Sequence, residues 1–391
     1  MIIVDPNYVS PRMCTWLAET GQPVLDTPMG RAIAARTPGI VLVADEEAAA
    51  RVNAGERLYT MSESALDWVR AHVTRPDLLR SLDAYKDKER TRVLLAPLYP
   101  DLTFRAYGID ELLTVPCPEE ALPCVIKPAV GFLSVGVYLV HTLAEWRAAC
   151  DAIAAGRARW SSQYGESVVG SGRFLVEPLL EGEEYAVDAY YDAEGHAHVL
   201  DILHHQFADA ADTSDRLYVT GPSVIRAQLE PITRFLNQAN TCIGVRDVPV
   251  HVELREKDGR IVPIEFNALR FAGLGGTEVS RFAYVFFTFD LYLNGRTPDW
   301  EAILAGCDED ELTCLSCLEP SDDRSYAHRN LDFRALAADY PGTCATAPFD
   351  YDTAGFFGFL FWKTSASDPS ERARLLADDL SGYLVEGRPV A

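Results

Sequence analysis

Two carboxylates and an amide recur at alternating positions in a pair of segments that otherwise have the composition of buried strands. VPIEFNALRFAGLGG, residues 262–276, carries Glu265 and Asn267, and VPVHVELREKDGR before it carries Glu253. Side chains two positions apart on a strand share a face, and the Asp-Gly pair predicts a hairpin turn between the segments. If the two polar faces coincide, these oxygen atoms form a set that suits Mg²⁺. The alternative is the hydrated face of an ordinary hairpin, although asparagine is uncommon in strands.

A lysine beside a glycine-bounded loop forms a second candidate. In VIKPAVGFLSVGVYLV, Lys127 ends an apolar run, Pro128 disfavours helical continuation, and the following loop contains Ser134 and Gly136. Such a loop can turn backbone N–H groups toward phosphate oxygens while the lysine supplies positive charge. The chain contains neither a Walker A motif nor GxGxxG, so the two common phosphate-loop signatures are excluded. A loose hairpin turn with an edge lysine is the alternative.

An acidic turn between two predicted strands is the third candidate. RFLVEPLLEGEEYAVD places Glu177 at the end of one strand and Glu184 at the start of the next. A short apolar stretch with exposed backbone can hold an adenine ring, and a nearby carboxylate can accept hydrogen bonds from ribose. An ordinary strand–turn–strand with an acidic surface is the alternative. His204 and His205 are adjacent on a strand and therefore point to opposite faces, which favours a structural or peripheral role. Arg216 is a further candidate for a phosphate contact.

The elements that must position these residues follow an α/β and then an α+β pattern. Residues 1–85 mix helical spacing with apolar runs of the parallel-sheet kind, such as MIIVD and GIVLVAD. PDLLRSLDAYKDKERTRVLLAPLY has helical spacing, and a helix is predicted from Thr142, its N-cap. Residues 173–205 read as three strands, residues 224–240 as a helix, and YDTAGFFGFLFW near the C-terminus as a buried strand pair. We expect three domains: 1–85, 86–300 and 301–391.

Composition narrows the function further. The chain has 391 residues and a formal net charge of −23, a surface that repels the phosphate backbone of nucleic acids. No apolar run approaches the length of a membrane span, and MIIVDPNYVS lacks the features of a secretory signal. Nine cysteines without framework spacing predict reduced thiols in a cytoplasm, and the lone pair Cys314 and Cys317 is expected to be two ordinary thiols.

Taken in order along the chain, four segments resemble the ATP-grasp superfamily. They are YKDKERTRVLL, VIKPAVGFLSVGV, FLVEPLLEGEEYAVD and VHVELREKDGRIVPIEFNALR, and the resemblance covers about residues 85–300. It implies the ATP-grasp fold, in which two α+β subdomains grip ATP behind an N-terminal α/β (pre-ATP-grasp) lobe. The hinge between the subdomains would lie near residues 177–182, and residues 301–391 would complete the second subdomain or cap the cleft.

The resemblance also implies a role for each matching residue. Lys88 and Lys127 would contact ATP phosphates, and the loop of residues 129–136, with Ser134 and Gly136, would cover them. Glu177 and Leu180 would contact the adenine, and Glu184 would bind the ribose. Glu253, Glu265 and Asn267 would hold the metal, and Arg270 would stabilise the acyl phosphate. The metal would be Mg²⁺, with Mn²⁺ as a substitute.

Three positions depart from the pattern of the superfamily. Many relatives read Glu-x-Asn-Pro-Arg, whereas Ala268 replaces the proline here and Arg270 comes one residue later. His251 stands where relatives of the D-alanine ligase type have arginine, and Lys86 competes with Lys88 for the first phosphate contact. The pockets for the acceptor and the carboxylate are therefore expected to differ from those of these relatives.

The activity that the resemblance implies is ATP-dependent carboxylate–amine ligation. ATP would convert a carboxylate to an acyl phosphate, and an amine would then displace phosphate, giving an amide or peptide-type bond, ADP and phosphate. An ATP-grasp kinase and a non-catalytic nucleotide-binding module are the alternatives. The expected partners are small-molecule carboxylates and amines, with neither nucleic acid nor membrane, and a homodimer is a further expectation.

Overall fold

The N-terminal lobe is built on a small parallel sheet. The computed structural model describes residues 1–131, 136–163, 172–209, 212–273, 275–320 and 326–389. The lobe contains β1 (Ile2–Ile3), α1 (Pro11–Thr20), β2 (Val24–Leu25), α2 (Pro28–Arg36), β3 (Leu42–Val43), α3 (Asp45–Asn53), β4 (Tyr59–Thr60), α4 (Leu66–His72) and α5 (Pro76–Tyr85). The strands are all parallel, in the order β3-β2-β1-β4. The α/β character predicted for this lobe is therefore confirmed.

The helical pattern over residues 76–99 is interrupted between Tyr85 and Lys88. A separate helix, α6 (Lys88–Leu95), begins after Asp87, followed by a 3₁₀ turn (Ala96–Leu98). The Asp87 carboxylate accepts hydrogen bonds from the backbone N–H groups of Glu89 (2.9 Å) and Arg90 (3.4 Å), so it caps the new helix. This cap places Lys88 at the first helical position, where the Lys88 N–H donates to the carbonyl of Ala129 at 2.8 Å.

A second, antiparallel sheet follows the first lobe. It contains β5 (Arg105–Gly108), β6 (Cys124–Pro128), β7 (Tyr138–Val140) and β8 (Arg173–Pro178), in the order β5-β8-β6-β7, with α7 (Ile109–Leu112) and α8 (Leu143–Gln163). Thr142 caps α8 by accepting from the Glu145 N–H at 3.2 Å, as predicted. Lys127 and Glu177 lie on the paired strands β6 and β8.

The third sheet has eight antiparallel strands and spans most of the remaining chain. The strands are β9 (Glu183–Tyr191), β10 (Ala197–Gln206), β11 (Leu217–Thr220), β12 (Val248–Lys257), β13 (Arg260–Ala268), β14 (Glu311–Leu318), β16 (Thr343–Pro348) and β17 (Gly358–Ser365). The short strand β15 (Arg329–Leu331) lies outside this sheet. The order is β13-β12-β9-β10-β11-β14-β17-β16. Three strands of residues 301–391 thus extend the sheet that carries the hairpin, and GFFGFLFW contributes the single strand β17 in place of the predicted pair.

The helices of this part connect and cover the strands. They are α9 (Pro222–Ile243), α10 (Glu278–Tyr284), α11 (Thr288–Leu293), α12 (Trp300–Ala305), α13 (Phe333–Asp339), α14 (Tyr351–Ala354) and α15 (Ser370–Ala377), and the last strand, β18 (Leu384–Glu386), pairs with β15.

Side-chain alternation gives the eight-stranded sheet two different faces. One face is apolar: Val187, Val252 and Phe266 belong to the same buried core as residues of α9. On the other face, Leu203 packs with Val279 of α10, while the neighbouring positions carry acidic and histidine side chains. In the register of the strands, Asp188 lies opposite His251 on one side and Asp201 on the other. The polar residues are therefore concentrated on the face that α9 leaves open.

Asp201 ties α10 to this polar face. Its carboxyl accepts hydrogen bonds from Ser280 Oγ of α10 (2.5 Å), from Thr220 Oγ1 (2.9 Å) and from the backbone N–H of Ile202 (2.8 Å). Burial, opposed by these bonds and reinforced by nearby Asp188, raises the pKa of Asp201 to about 7. The group is therefore protonated below neutrality and charged above it.

Replacing Asp201 with asparagine should change how stability depends on pH. Between the ordinary carboxyl pKa of 3.8 and about 7, the folded state holds a proton that the unfolded state has released. The contribution of Asp201 to the free energy of unfolding therefore falls as pH rises through that range. Relative to Asp201→Asn, the wild type should lose about 2 kcal/mol of unfolding free energy between about pH 5 and pH 8, measured by urea denaturation. Parallel pH profiles for the two proteins would contradict the assignment.

Candidate active site

The polar faces of the β12–β13 hairpin coincide. Glu253 lies directly opposite Glu265, and His251 lies directly opposite Asn267. A bulge after Glu253 shifts the register only beyond this quartet, toward the turn. Residues opposite each other in an antiparallel pair have Cβ atoms about 5 Å apart. Two carboxylates and an amide are therefore concentrated at one end of the hairpin.

The two carboxylates of this ladder are electrostatically unequal. Burial acts to raise both pKa values. Lys88 Nζ lies 2.6 Å from Glu265 Oε2, and Asn267 Nδ2 donates to Oε1 at 3.0 Å, so the pKa of Glu265 is lowered to about 2. Burial and the charge of Glu265 hold the pKa of Glu253 well above its ordinary value. The pair thus has one fixed negative charge on Glu265 and a carboxyl at Glu253 that favours a proton or another cation.

A second buried cluster joins the small sheet to the hairpin. Arg92 contacts both oxygens of Glu177, with Nε at 2.6 Å and Nη2 at 3.0 Å, and Lys127 Nζ lies 2.5 Å from the same carboxylate. Arg92 also donates to the carbonyl of Pro263 at 2.7 Å, and Lys127 to that of Ile264 at 3.3 Å. The cluster therefore connects α6, β6 and β8 to the strand that carries Glu265.

Charge compensation in this second cluster is strong. Although burial opposes ionisation, Lys127 and Arg92 lower the pKa of Glu177 to about 2. Burial lowers the pKa of Lys127, with Glu177 acting in the opposite direction and the positive charges of Arg92 and Lys88 adding to the decrease. Two cations thus bind the Glu177 carboxylate. Any contact between Glu177 and an adenine base would therefore come from the backbone of this residue.

Glu184 is fixed on the same face of the large sheet by its cross-strand neighbours. Arg255 and His205 lie opposite Glu184 on the two adjacent strands. His205 Nδ1 is 2.9 Å from one carboxylate oxygen and Arg255 Nη2 is 2.7 Å from the other. Despite burial, these partners lower the pKa of Glu184. His205 also stacks on Tyr218 with ring centroids 4.1 Å apart, whereas His204 points the other way and bonds to Glu183 at 2.7 Å.

Arg270 follows the hairpin at the end nearest these carboxylates. Its positive charge acts to lower the pKa values of both Glu253 and Glu265. Its guanidinium donates to the carbonyl of Phe271 at 3.0 Å. The site therefore combines Lys88 and Arg270 with two opposed carboxylates and an amide.

Part of the chain matches a known family of domains. Residues 120–278 match the model of the ATP-grasp domain family. The chain contains an ATP-grasp domain. The resemblance drawn from the sequence is therefore confirmed, as is the predicted fold class, an ATP-grasp fold with an N-terminal α/β lobe.

Solved structures agree with the ATP-grasp architecture over nearly the whole chain. An L-amino acid ligase from Bacillus licheniformis has a TM-score of 0.70 at 18% identity, covering 98% of this chain and 97% of that chain. A carboxyaminoimidazole ribonucleotide synthase from Aspergillus clavatus, solved with ATP, has a TM-score of 0.62 at 12% identity over 98% of both chains. Biotin carboxylase from Campylobacter jejuni has a TM-score of 0.61 at 11% identity over 93% and 87%. No curated protein gives a significant sequence match.

Of the residues that the ATP-grasp resemblance singles out, three lie apart from these clusters or outside the described residues. Leu180 is partly buried against the main core, and Gly136 has a φ of 79°, a conformation that favours glycine. Ser134 lies outside the described residues. Lys86 pairs with Glu63, whereas Lys88 pairs with Glu265, so the two lysines have different partners. The ligand roles of all these residues stay predictions.

Sequence reasoning missed Arg92, Arg255 and Asp188. Arg92 lies four positions after Lys88 and so shares its face of α6. Arg255 and Asp188 stand at even spacing from Glu253 and Glu184, the signal for a common face of a strand. Helical or strand periodicity could have found all three.

Two kinds of feature are absent from the described residues. Within the described ranges, no cluster of three or more His, Cys, Asp or Glu side chains is arranged to hold a metal. Of the helices in the described part of the chain, none has the length and apolarity needed to cross a membrane.

Glu177→Gln should destabilise the protein. The substitution leaves Arg92 and Lys127 buried without their shared counter-charge, so we expect a loss of about 3 kcal/mol in unfolding free energy at neutral pH. In the wild type this contribution is present above the ordinary pKa of 4.5 and is lost as pH falls toward about 2. Glu183→Gln is the matched control, because that glutamate is 65% exposed and should change stability by less than about 0.5 kcal/mol. Urea unfolding measures both, and equal losses would count against the buried cluster.

Proposed function

We propose that the protein is an ATP-dependent ligase that joins a small carboxylate to an amine through an acyl phosphate, with release of ADP and phosphate. The observation that carries this proposal is the opposed pair Glu253 and Glu265, with Asn267 beside it, Lys88 paired to it and Arg270 acting on both carboxylates. Binding a nucleotide without reaction does not need this convergence of groups that neutralise charge on two sides of a phosphate.

The donor set of the hairpin fits a divalent cation. Glu253, Glu265 and Asn267 are the residues that would hold Mg²⁺, or Mn²⁺ in its place, and the oxygens of carboxylates and amides are the ligands that this ion prefers. The Asn267 amide nitrogen faces Glu265, so its oxygen is the atom available as a ligand. When bound, the ion neutralises phosphate oxygens and orients them for transfer. The raised pKa of Glu253 supports this assignment, because a cation can replace the proton that the carboxyl favours.

Lys88 and Lys127 are proposed to neutralise the triphosphate. In the structure Lys88 is paired with Glu265 and Lys127 with Glu177, so each ammonium already has a counter-charge. A phosphate oxygen that binds beside one of these ion pairs would share a lysine that is already in place. This limits the free-energy penalty of burying the phosphate charge. The hinge after Glu177, including Leu180, would take the adenine, and Glu184 would take the ribose.

The proposed reaction has two displacements. First, a substrate carboxylate oxygen attacks the γ-phosphorus of ATP, the bond to the bridging oxygen breaks, and ADP leaves. An amine nitrogen then attacks the acyl carbon, the acyl carbon–oxygen bond to phosphate breaks, and the amine proton is lost to solvent or a base. Arg270, which is close enough to act on both site carboxylates, would stabilise the negative charge that develops on the acyl phosphate and its tetrahedral successor.

The fold comparison supports an amino-acid-like substrate for this ligase. The solved structure with a TM-score of 0.70 is described as an L-amino acid ligase, and the two chains cover each other almost completely. The decisive experiment is an ADP-release screen of amino acids and small carboxylates, each with and without amine acceptors, followed by mass spectrometry of the products. ADP release that requires both substrates and yields an amide supports the ligase. A stable phosphorylated product without an amide would instead identify a kinase, and ATP binding without turnover a nucleotide-binding module.

Glu265→Gln should remove most of the activity. It deletes the negative charge that pairs with Lys88 and would hold the metal, so kcat/KM should fall about a hundredfold or more. Stabilisation of the protein by ATP with Mg²⁺, measured as a shift in Tm, should also decrease. Glu120→Gln serves as the control, because this glutamate is 71% exposed on the small-sheet side. Unchanged activity and unchanged metal-dependent ATP stabilisation in Glu265→Gln would refute the metal-site proposal.

A further inference from the structure

The segment that carries Arg270 contains a strained residue directly before it. Leu269 has a φ of 62°, in the left-handed region that residues with a Cβ atom rarely adopt. Its side chain is fully buried in the main core. A bulky residue keeps such a conformation only where its surroundings impose it, and such positions cluster at functional sites.

Thr60 of the N-terminal lobe holds the strained peptide. Both its backbone N–H (2.8 Å) and its hydroxyl Oγ1 (3.1 Å) donate hydrogen bonds to the carbonyl oxygen of Leu269. Thr60 is 0% exposed, so neither bond competes with water. The Leu269 N–H donates in turn to the carbonyl of Pro249 at 3.1 Å. The peptide before Arg270 is therefore fixed by the N-terminal lobe on one side and by β12 on the other.

A second anchor lies two residues after Arg270. The Ala272 N–H donates to Asp188 Oδ1 at 2.9 Å, and the same oxygen is 2.7 Å from His251 Nδ1. Between the anchors, Phe271 packs against Tyr59, which adjoins Thr60 on β4, with ring centroids 5.3 Å apart. The anchors therefore enclose a span of four residues with Arg270 inside it.

The orientation of Arg270 depends on this backbone. The contact of its guanidinium within the described residues is to the carbonyl of the next residue, Phe271. A bond of that kind moves with the segment, so it cannot by itself fix the direction of the side chain relative to Glu253 and Glu265. Its placement therefore depends on the anchored peptides on either side, in addition to the attraction of the two carboxylates.

We propose that Thr60 is a positioning residue: through its hydroxyl it fixes the left-handed turn at Leu269 and so directs Arg270 toward the acyl-phosphate site. This inference rests on the proposed function only for the role of Arg270; the anchoring of the turn is independent of it. The N-terminal lobe thereby contributes to the placement of a catalytic group. Asp188 performs the same function for the far end of the segment.

Hydrogen exchange tests the anchor without any need for activity. Thr60→Val keeps the shape and the backbone bond but removes the hydroxyl donor, and Thr60→Ser keeps the hydroxyl. We expect the amides of residues 269–272 to exchange about tenfold faster in Thr60→Val than in the wild type, and Thr60→Ser to restore most of the protection. If exchange is the same in the wild type and Thr60→Val, or if both variants lose protection equally, the hydroxyl does not hold the turn and the inference fails.

A double-mutant cycle tests whether Thr60 acts through Arg270. In the wild-type background Thr60→Val should lower kcat about fivefold, with little change in KM for ATP, because a small displacement of a catalytic group affects the chemical step more than binding. In an Arg270→Lys background the same substitution should change kcat by less than about 1.5-fold. Equal losses in both backgrounds would show a merely structural role and overturn the inference. If the wild type has no ATP-dependent turnover, the proposed function fails, and hydrogen exchange alone decides whether Thr60 anchors the turn.

Discussion

Two glutamates held directly opposite each other across an antiparallel ladder repel one another, and much of the surrounding structure compensates that repulsion. Glu253 and Glu265 occupy one rung of the β12–β13 hairpin. Burial makes their shared negative charge more costly, so a cation must be brought in from elsewhere in the chain. Lys88 comes from a helix more than 170 residues away in sequence, and it arrives at Glu265 because Asp87 caps a new helix at that point.

The same principle recurs in the second cluster and links the two sheets. Glu177 is buried between Arg92 and Lys127, and both cations also donate to carbonyls of β13, beside Glu265. Breaking such a cluster is costly because the remaining charges stay buried without partners. The charges of the proposed nucleotide site therefore connect the small sheet, α6 and the hairpin. A nucleotide that binds there would rearrange existing ion pairs.

The N-terminal lobe is part of the site in a less direct way. Its parallel sheet ends at β4, and Thr60 at that end bonds to Leu269, the strained residue before Arg270. The C-terminal residues contribute differently, because β14, β16 and β17 extend the large sheet and their side chains pack with α10 on its polar face. A single continuous sheet thus carries Glu184, Glu253 and Glu265, while the segments that follow or adjoin it place the cations.

Much of this was determined by sequence alone. Strand alternation and an Asp-Gly turn were sufficient to place Glu253, Glu265 and Asn267 on one face, because both are local properties of the backbone. Local patterns could not determine which distant groups would meet that face. That Lys88 pairs with Glu265, that Glu177 is neutralised by Arg92, and that Thr60 holds Leu269 depend on contacts between elements far apart in the chain. Long-range packing decides such contacts, because the free energy of a buried charge or a strained peptide depends on which groups the fold brings beside it.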